Sequence, residues 1–475
     1  MEKKNIIPVH KTNSKENVDN YRPISLLSVI SKIAERCVYN HIYPSIIKQL
    51  SKCQHGFLSG RSTSTQLVEF IENIGNTLDN SGQTDIIYLD FSKAFDSVSH
   101  PLLLRKLRRF GISGNMLKWF ESYLAKRVQR VVVNGGTSKW LPVYSGVPQG
   151  SILGPLLFNM FINDMPDVVN ISNVVLYADD TKCYNTIASE VHCNELQSDL
   201  EALYVWSTTW SLNFNASKCK VITVTRKKDP LLYDYTLNGQ TLERVSCIND
   251  LGVTINDELN WSKHIDSITS KARRLCWLIK RSVGYNASTR VKKQLYVSLV
   301  RSNVEYCSQI WSGTSHININ KLERVQRSAT RYILNYPDSD YRDRLIKLNL
   351  LPLAYRREVL DVTFFYKILN NLYHLNVKDF ISFTYSNERL TRSSNDPVYL
   401  CTQMCKTESG KKLFFNRIVN IWNSIPYNIR NSDTISIFKS QINTFYKSLF
   451  HSTFDPNNMC TWTVSCACNK CRPYA

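Results

Sequence analysis

No apolar run in the sequence approaches the roughly 20 residues that a membrane-spanning helix needs, and the charged start MEKKN has no signal-peptide core. A membrane protein and a secreted one are therefore not expected. The chain also lacks internal repeats and low-complexity segments, which argues against a solenoid or a disordered array. Acidic residues are scarce: 39 Asp and Glu face 59 Lys and Arg, leaving a formal charge of +20. Such a balance calls for a polyanionic partner, and without a membrane segment the partner expected is nucleic acid. The 14 cysteines follow no small-domain disulfide spacing, so they are expected as thiols in the cytoplasm or nucleus. With 475 residues the chain has room for two or three domains.

What is present centres on LYADDTKCY, residues 176–184. Val174, Val175, Leu176 and Tyr177 run into two aspartates and out through Thr181, Cys183 and Tyr184, which predicts a hairpin with Asp179 and Asp180 at its turn. Adjacent carboxylates repel, and a hard divalent cation such as Mg²⁺ relieves that repulsion. Taken alone, the pair also reads as a solvated turn. The apolar run from Ile86 to Leu89 predicts a buried strand that delivers Asp90 beside the hairpin. Three carboxylates on two neighbouring strand ends fit a two-metal site, with ions about 3.5–4 Å apart activating one oxygen and stabilising another.

Asp90 followed by Ala94, Phe95 and Asp96, then SGVPQGSILGPLLFNMFINDM (145–165), then Tyr177-Ala178-Asp179-Asp180, resembles in order and spacing the palm of a reverse transcriptase. The wording LDFSKAFDSVSHPLLLRKL and GVPQGSILGPLLF is most similar to non-LTR (LINE-type, jockey-like) retrotransposon enzymes. The likeness runs from about Ile7 to Ile255 in blocks and more loosely to Tyr446. It implies a right-hand polymerase of α+β and α/β character, with fingers, palm and thumb and a mostly helical C-terminal region. The expected segments are partial fingers over 1–84, palm over 85–260 with interspersed finger elements, helical thumb over 261–339, and a helical region with a Cys-containing tail over 340–475. The implied activity is that of an RNA-directed DNA polymerase, a nucleotidyltransferase that adds dNTPs to a primer 3′-hydroxyl. Its implied partners are an RNA template and a DNA primer. Asp90, Asp179 and Asp180 are expected to hold two Mg²⁺ ions, with Mn²⁺ as an alternative.

The resemblance extends to other positions. Arg22, Arg61, Phe95, Gln149 and Gly150 fall where such enzymes hold the incoming nucleotide. An Arg before a helix suits a triphosphate, Gly150 lets backbone approach a ligand closely, and Gln149 can hydrogen-bond a base. Phe95 matches the aromatic residue that sits next to the nucleotide sugar. Lys218 matches the lysine that protonates departing pyrophosphate. Arg22 and Lys218 read equally as surface residues. Between His100 and Arg130 a basic run faces the single acid Glu121, and Arg105, Arg108, Lys126 and Arg127 are expected on backbone phosphates.

Secondary structure is legible around these positions. A helix is expected from about Ser25, with Ile30, Ile33, Ala34, Cys37 and Val38 on one face. Asn134-Gly135 and the Asn-Gly of YTLNGQTLERV predict hairpins, and LGVTI (251–255) resembles a primer grip. From Trp261 the pattern is helical, with Ile265, Ile268, Ala272, Leu275 and Ile279 on one face and Lys271, Arg273 and Arg274 expected on nucleic acid. Cys460, Cys466, Cys468 and Cys471 cluster without standard zinc-finger spacing and are expected in a disordered tail. No stretch resembles a ribonuclease H domain or the nuclease that precedes the polymerase in such elements, so the chain is expected to begin inside the fingers. Two rivals stay open: a truncated remnant that only binds nucleic acid, and another polymerase such as an intron-maturase-type reverse transcriptase or a viral RNA-directed RNA polymerase.

Overall fold

Strand-forming runs at the start of the chain give β1 (Lys3–His10) and β2 (Tyr21–Leu26), an antiparallel pair, before helix α1 (Val29–Ile46). There follow β3 (Gln83–Leu89), α2 (His100–Arg109), α3 (Gly114–Leu124), β4 (Val128–Val133) and α4 (Leu153–Ile162). Next come β5 (Asn173–Tyr177), β6 (Asp180–Thr186), α5 (Glu190–Thr209), β7 (Lys220–Thr225) and β8 (Glu243–Arg244). This computed structural model describes residues 3–11, 14–336, 340–375, 377, 380–381, 400–401 and 404–464. The chain divides into two compact units: one comprises the segments up to Ser62, Thr84–Thr223 and Asp229–Val245, the other Thr63–Gln83, Val224–Lys228 and the segments from Ser246 onward.

The first unit is built on a sheet in the order β8-β7-β3-β6-β5, with the almost wholly buried QTDIIYL of β3 at its centre. Leucine- and phenylalanine-rich α4 is apolar all round, and every side chain from Leu156 to Ile162 is buried, as expected of a helix enclosed on all sides. Its core neighbours include Leu103 and Leu107 of α2, Phe120 of α3 and Leu196, Leu200 and Leu203 of α5. A second sheet is built on β2, β1 and β4, with two short strands, Gly136–Thr137 and Leu141–Pro142, pairing with β4. The expected Asn-Gly turns form as read: Asn134 and Gly135 have φ +48° and +84°, Asn238 and Gly239 +52° and +71°. Positive φ at both central residues matches hairpin turns to strand twist.

Two expectations are corrected here. Helix α1 starts at Val29, and its Ile30 and Ile33 are 80% and 59% exposed. The residue buried in that part of the helix is Glu35. Its carboxylate accepts from the N–H groups of Ile152 (2.7 Å) and Leu153 (3.3 Å) and from the Tyr123 hydroxyl (2.9 Å), capping the start of α4. Nor does the whole basic run lie at the surface where phosphates could reach it. Lys106 is buried, paired with Asp164, with its ammonium 3.5 Å from the ring centre of Trp210.

The second unit is mainly helical, in keeping with the expected C-terminal character. The hairpin β9 (Cys247–Asp250) and β10 (Val253–Asn256) precedes α6 (Ser262–Val283), which buries Ile265, Ala272 and Ile279 as its period predicts. Helices α7 (His316–Leu334), α8 (Leu353–Leu369), α9 (Phe414–Asn423) and α10 (Ile435–Thr453) follow. The helix Thr63–Asp79 belongs to this unit, where buried Glu72 accepts from the Phe415 N–H at 3.1 Å at the start of α9. Glu358 of α8 is buried too and accepts from the Tyr446 hydroxyl at 3.0 Å. Among the described residues no helix is long and apolar enough to cross a membrane, and every cysteine is a free thiol. Cys466, Cys468 and Cys471 lie outside the described residues.

Candidate active site

Asp90 is the residue immediately after β3. Three local contacts fix its backbone: its N–H donates to Cys219 Sγ at 3.4 Å, its C=O accepts from the Asn215 N–H at 2.7 Å, and neighbouring Phe91 stacks on Phe214 with ring centres 4.4 Å apart. The stretch LNFNASKCK therefore braces this strand end. It also brings Lys218 Nζ to 3.6 Å from Asp90 Oδ2.

The β3–β6 register ends with Leu89 opposite Thr181, which sets Asp90 beside the β5–β6 turn. Tyr177 pairs with Asp180, so the turn residues are Ala178 and Asp179, one position earlier than expected. Asp180 is the exposed first residue of β6. Burial pushes the Asp179 carboxyl above its usual 3.8; the charge of Asp90 raises it further, while Lys11 and Arg22 pull it back. Asp90 and Asp179 are thus held in mutual repulsion. Among the described residues no group of three or more His, Cys, Asp or Glu side chains gathers closely enough to hold a metal ion, so Asp180 does not complete a trio with them. Asp179 lies in the turn and Asp180 opens β6, so adjacency in sequence does not by itself bring the two carboxylates to one point. Asp90 and Asp179, near enough for one charge to act on the other, offer oxygen donors of the kind hard divalent cations take.

The other expected nucleotide residues are placed unevenly. Phe95 is half-buried, stacked on Phe158 with ring centres 4.4 Å apart and edge-on to Phe57 at 6.2 Å. Gln149 donates from Nε2 to both oxygens of Asp96 at 3.3 Å. Burial raises the Asp96 carboxyl, and the Gln149 bond and Lys93 act against it. Gly150 is required by its φ of +109°, and a Cβ there would come within 2.9 Å of the Ser25 carbonyl. The close approach seen here is to the backbone of β2. Arg22 is exposed on β2, with Lys11 just beyond β1, and both act on Asp179.

Arg61 and Arg127 both bind carbonyls of the protein itself, and only Arg127 is buried. Nη1 of Arg61 donates to the carbonyls of Lys52 and Gln54 at 2.5 Å each and to that of Ser51 at 3.4 Å. Its planar fork organises a loop. Arg127 is only 4% exposed and donates to the Gly146 carbonyl at 3.2 Å, so it is not a surface phosphate contact. Arg105, Arg108 and Lys126 are exposed, Arg108 within 3.3 Å of Glu121. In the second unit Lys271, Arg273 and Arg274 are exposed on α6.

Residues 9–255, just over half of the chain, match the family model described as reverse transcriptase (RNA-dependent DNA polymerase). The chain is 31% identical over 351 residues to the RNA-directed DNA polymerase from mobile element jockey of Drosophila melanogaster, covering 70% of this chain and 37% of that protein. It is 30% identical over 351 residues to the probable RNA-directed DNA polymerase from transposon BS of the same organism, covering 70% and 38%. A solved telomerase of Candida tropicalis in complex with a TWJ fragment of telomeric RNA is similar at 10% identity and a TM-score of 0.42, over 94% of this chain and 64% of that one. The chain spans little more than a third of the length of the curated relatives it matches. The matched residues include both strand ends and the loops that brace them, and this chain belongs to the reverse transcriptase (RNA-dependent DNA polymerase) family.

Proposed function

We propose that the chain is the polymerase part of a LINE-type mobile element, extending a primer 3′-hydroxyl with deoxynucleotides on an RNA template. The observation that carries this reading is the register that sets Asp90, directly after β3, beside the β5–β6 turn bearing Asp179, two neighbouring carboxylates of the kind a divalent cation takes. The relatives named as RNA-directed DNA polymerases of mobile elements support it. Asp90 and Asp179 would hold Mg²⁺, or Mn²⁺ in its place, through their carboxylate oxygens; Asp180, exposed on the next residue, would join them only by a change in its side-chain direction. When bound, such ions ease deprotonation of the primer hydroxyl and offset charge on the transferring phosphates.

The protein's own residues do the rest. Lys218 donates a proton from Nζ to the departing pyrophosphate. Lys11 and Arg22 give the site a cationic side that draws in the triphosphate. Phe95, fixed by Phe158, fills the space a 2′-hydroxyl needs and offers it no hydrogen bond. Gln149, oriented by Asp96, presents its amide to the nucleotide. Arg105, Arg108, Lys126, Lys271, Arg273 and Arg274 meet backbone phosphates. The free thiols agree with work in the cytoplasm or nucleus. In the test, Asp179→Asn removes metal-dependent primer extension and leaves template-primer affinity within about twofold, because no cation is lost. Equal loss of both in a folded variant would remove Asp179 from the metal site, and a wild type that binds without extending is a binding remnant.

A further inference from the structure

The turn that carries Asp179 contains an unusual backbone: Ala178, an L-residue with a side chain, sits at φ +55° in the left-handed region. A buried glutamine from a distant loop holds it there. Gln54, 2% exposed, accepts at Oε1 from the Ala178 N–H at 2.8 Å and donates from Nε2 to the Ala178 carbonyl at 3.3 Å. Its Oε1 also takes the Gly56 N–H at 2.6 Å. The flanking backbone runs beside β5, with Leu176 N–H donating to Cys53 O and His55 N–H to Leu176 O, both at 2.9 Å. The side-chain amide therefore continues, one residue pair further, the ladder that the loop backbone begins.

We propose that Gln54 is a positioning residue for the catalytic carboxylates, clamping both polar groups of Ala178 so that Asp179 stays aimed at the Asp90 strand end. The amide supplies an acceptor and a donor from two separate atoms spaced to meet the N–H and the C=O of one residue, and fixing both groups of Ala178 fixes the direction in which the next residue leaves the turn. The loop is itself held from behind. Arg61 binds its carbonyls, and Asn159 of α4 donates to the Gly56 carbonyl at 2.7 Å. Gly56 can only be glycine, since a Cβ would lie 2.3 Å from the Ala178 nitrogen. The clamp lets two repelling carboxylates keep their arrangement before any cation arrives, so that binding and turnover need no rebuilding of the turn.

This inference rests on the polymerase reading, and the test separates the two. Gln54→Met keeps the volume and removes the amide. Mn²⁺ binding to the substrate-free chain, followed by electron paramagnetic resonance with Asp179→Asn as the control, is expected to weaken about tenfold in Gln54→Met. Single-turnover dNTP addition should fall by a similar or larger factor, with KM for dNTP and template-primer affinity within about twofold. Amide exchange should quicken over 176–180 and stay unchanged in α4 and α5. Gln54→Glu, which keeps the acceptor and loses the donor, should also be impaired. Wild-type Mn²⁺ binding that does not depend on Asp179 would sink the polymerase reading itself. Intact wild-type binding with unchanged Mn²⁺ affinity in Gln54→Met, or faster exchange spread evenly over the unit, would overturn the clamp alone.

Discussion

Lys218 holds its ammonium 3.6 Å from the carboxylate of Asp90, so a cation from one loop faces the acid that a buried strand delivers. If that ammonium donates the leaving-group proton, Lys218→Gln should lower single-turnover addition about 100-fold or more while template-primer affinity holds within about twofold. Lys218→Arg restores the charge with a group that does not release its proton, and its rate should stay low. Recovery of the full rate in Lys218→Arg, measured by rapid quench, would leave only an electrostatic role.

Stability should depend on pH through the second unit. Burial pushes Glu72 up to about 7, against the Phe415 N–H and the charge of Arg417. Burial likewise pushes Glu358 up to about 7, against bonds from Thr463, Val464 and Tyr446. The unfolded value is 4.5, so the folded state holds more protons between 4.5 and 7. Stability should therefore fall as pH rises through that window and level off above it, each site contributing on the order of 3 kcal/mol. Urea unfolding across this range should show the slope, and Glu72→Gln with Glu358→Gln should flatten it. A stability that rises through the same window would contradict the burial of these acids.

Glu35 caps α4 from a neighbouring helix through the N–H groups of Ile152 and Leu153. Glu35→Ala should cost about 1–2 kcal/mol in urea unfolding, and Glu35→Gln less, since its amide oxygen still accepts. A neutral Glu35→Ala would mean that α4 does not need this cap.

Salt dependence should sort the basic residues. Replacing Lys271, Arg273 and Arg274 with glutamine should weaken template-primer binding and reduce the slope of log K against log salt by about 2–3. Arg127→Gln, at a buried position bonded to Gly146, should lower stability and leave the slope alone. The opposite assignment of effects would exchange their roles.

The sequence made the site's main parts legible where the pattern is local. An apolar run ending in Asp90, a strand pattern entering Asp179 and two Asn-Gly turns each carry their own signal within a few residues. What stayed hidden depends on partners far along the chain. Gln54 looks like any polar loop residue because Ala178 lies 124 positions away. Helical period identifies the stripe of Ile30 and Ile33 without saying whether anything covers it, and Glu35 reads as solvent-facing until α4 is placed against it. Arg61 and Arg127 show a further ambiguity. A guanidinium fork satisfies backbone carbonyls as readily as phosphates, and burial rules out the second use for Arg127 but not for Arg61.

The most direct measurement is single-nucleotide addition on a defined RNA template annealed to a DNA primer, with dNTP and NTP supplied side by side in Mg²⁺. The wild-type chain should add the complementary dNTP in strong preference to the ribonucleotide, Asp90→Asn should add neither, and Phe95→Val should narrow the preference by about tenfold or more while keeping dNTP addition. A folded wild type that binds the duplex yet extends no primer, or that prefers the ribonucleotide, would contradict RNA-directed DNA synthesis by this chain.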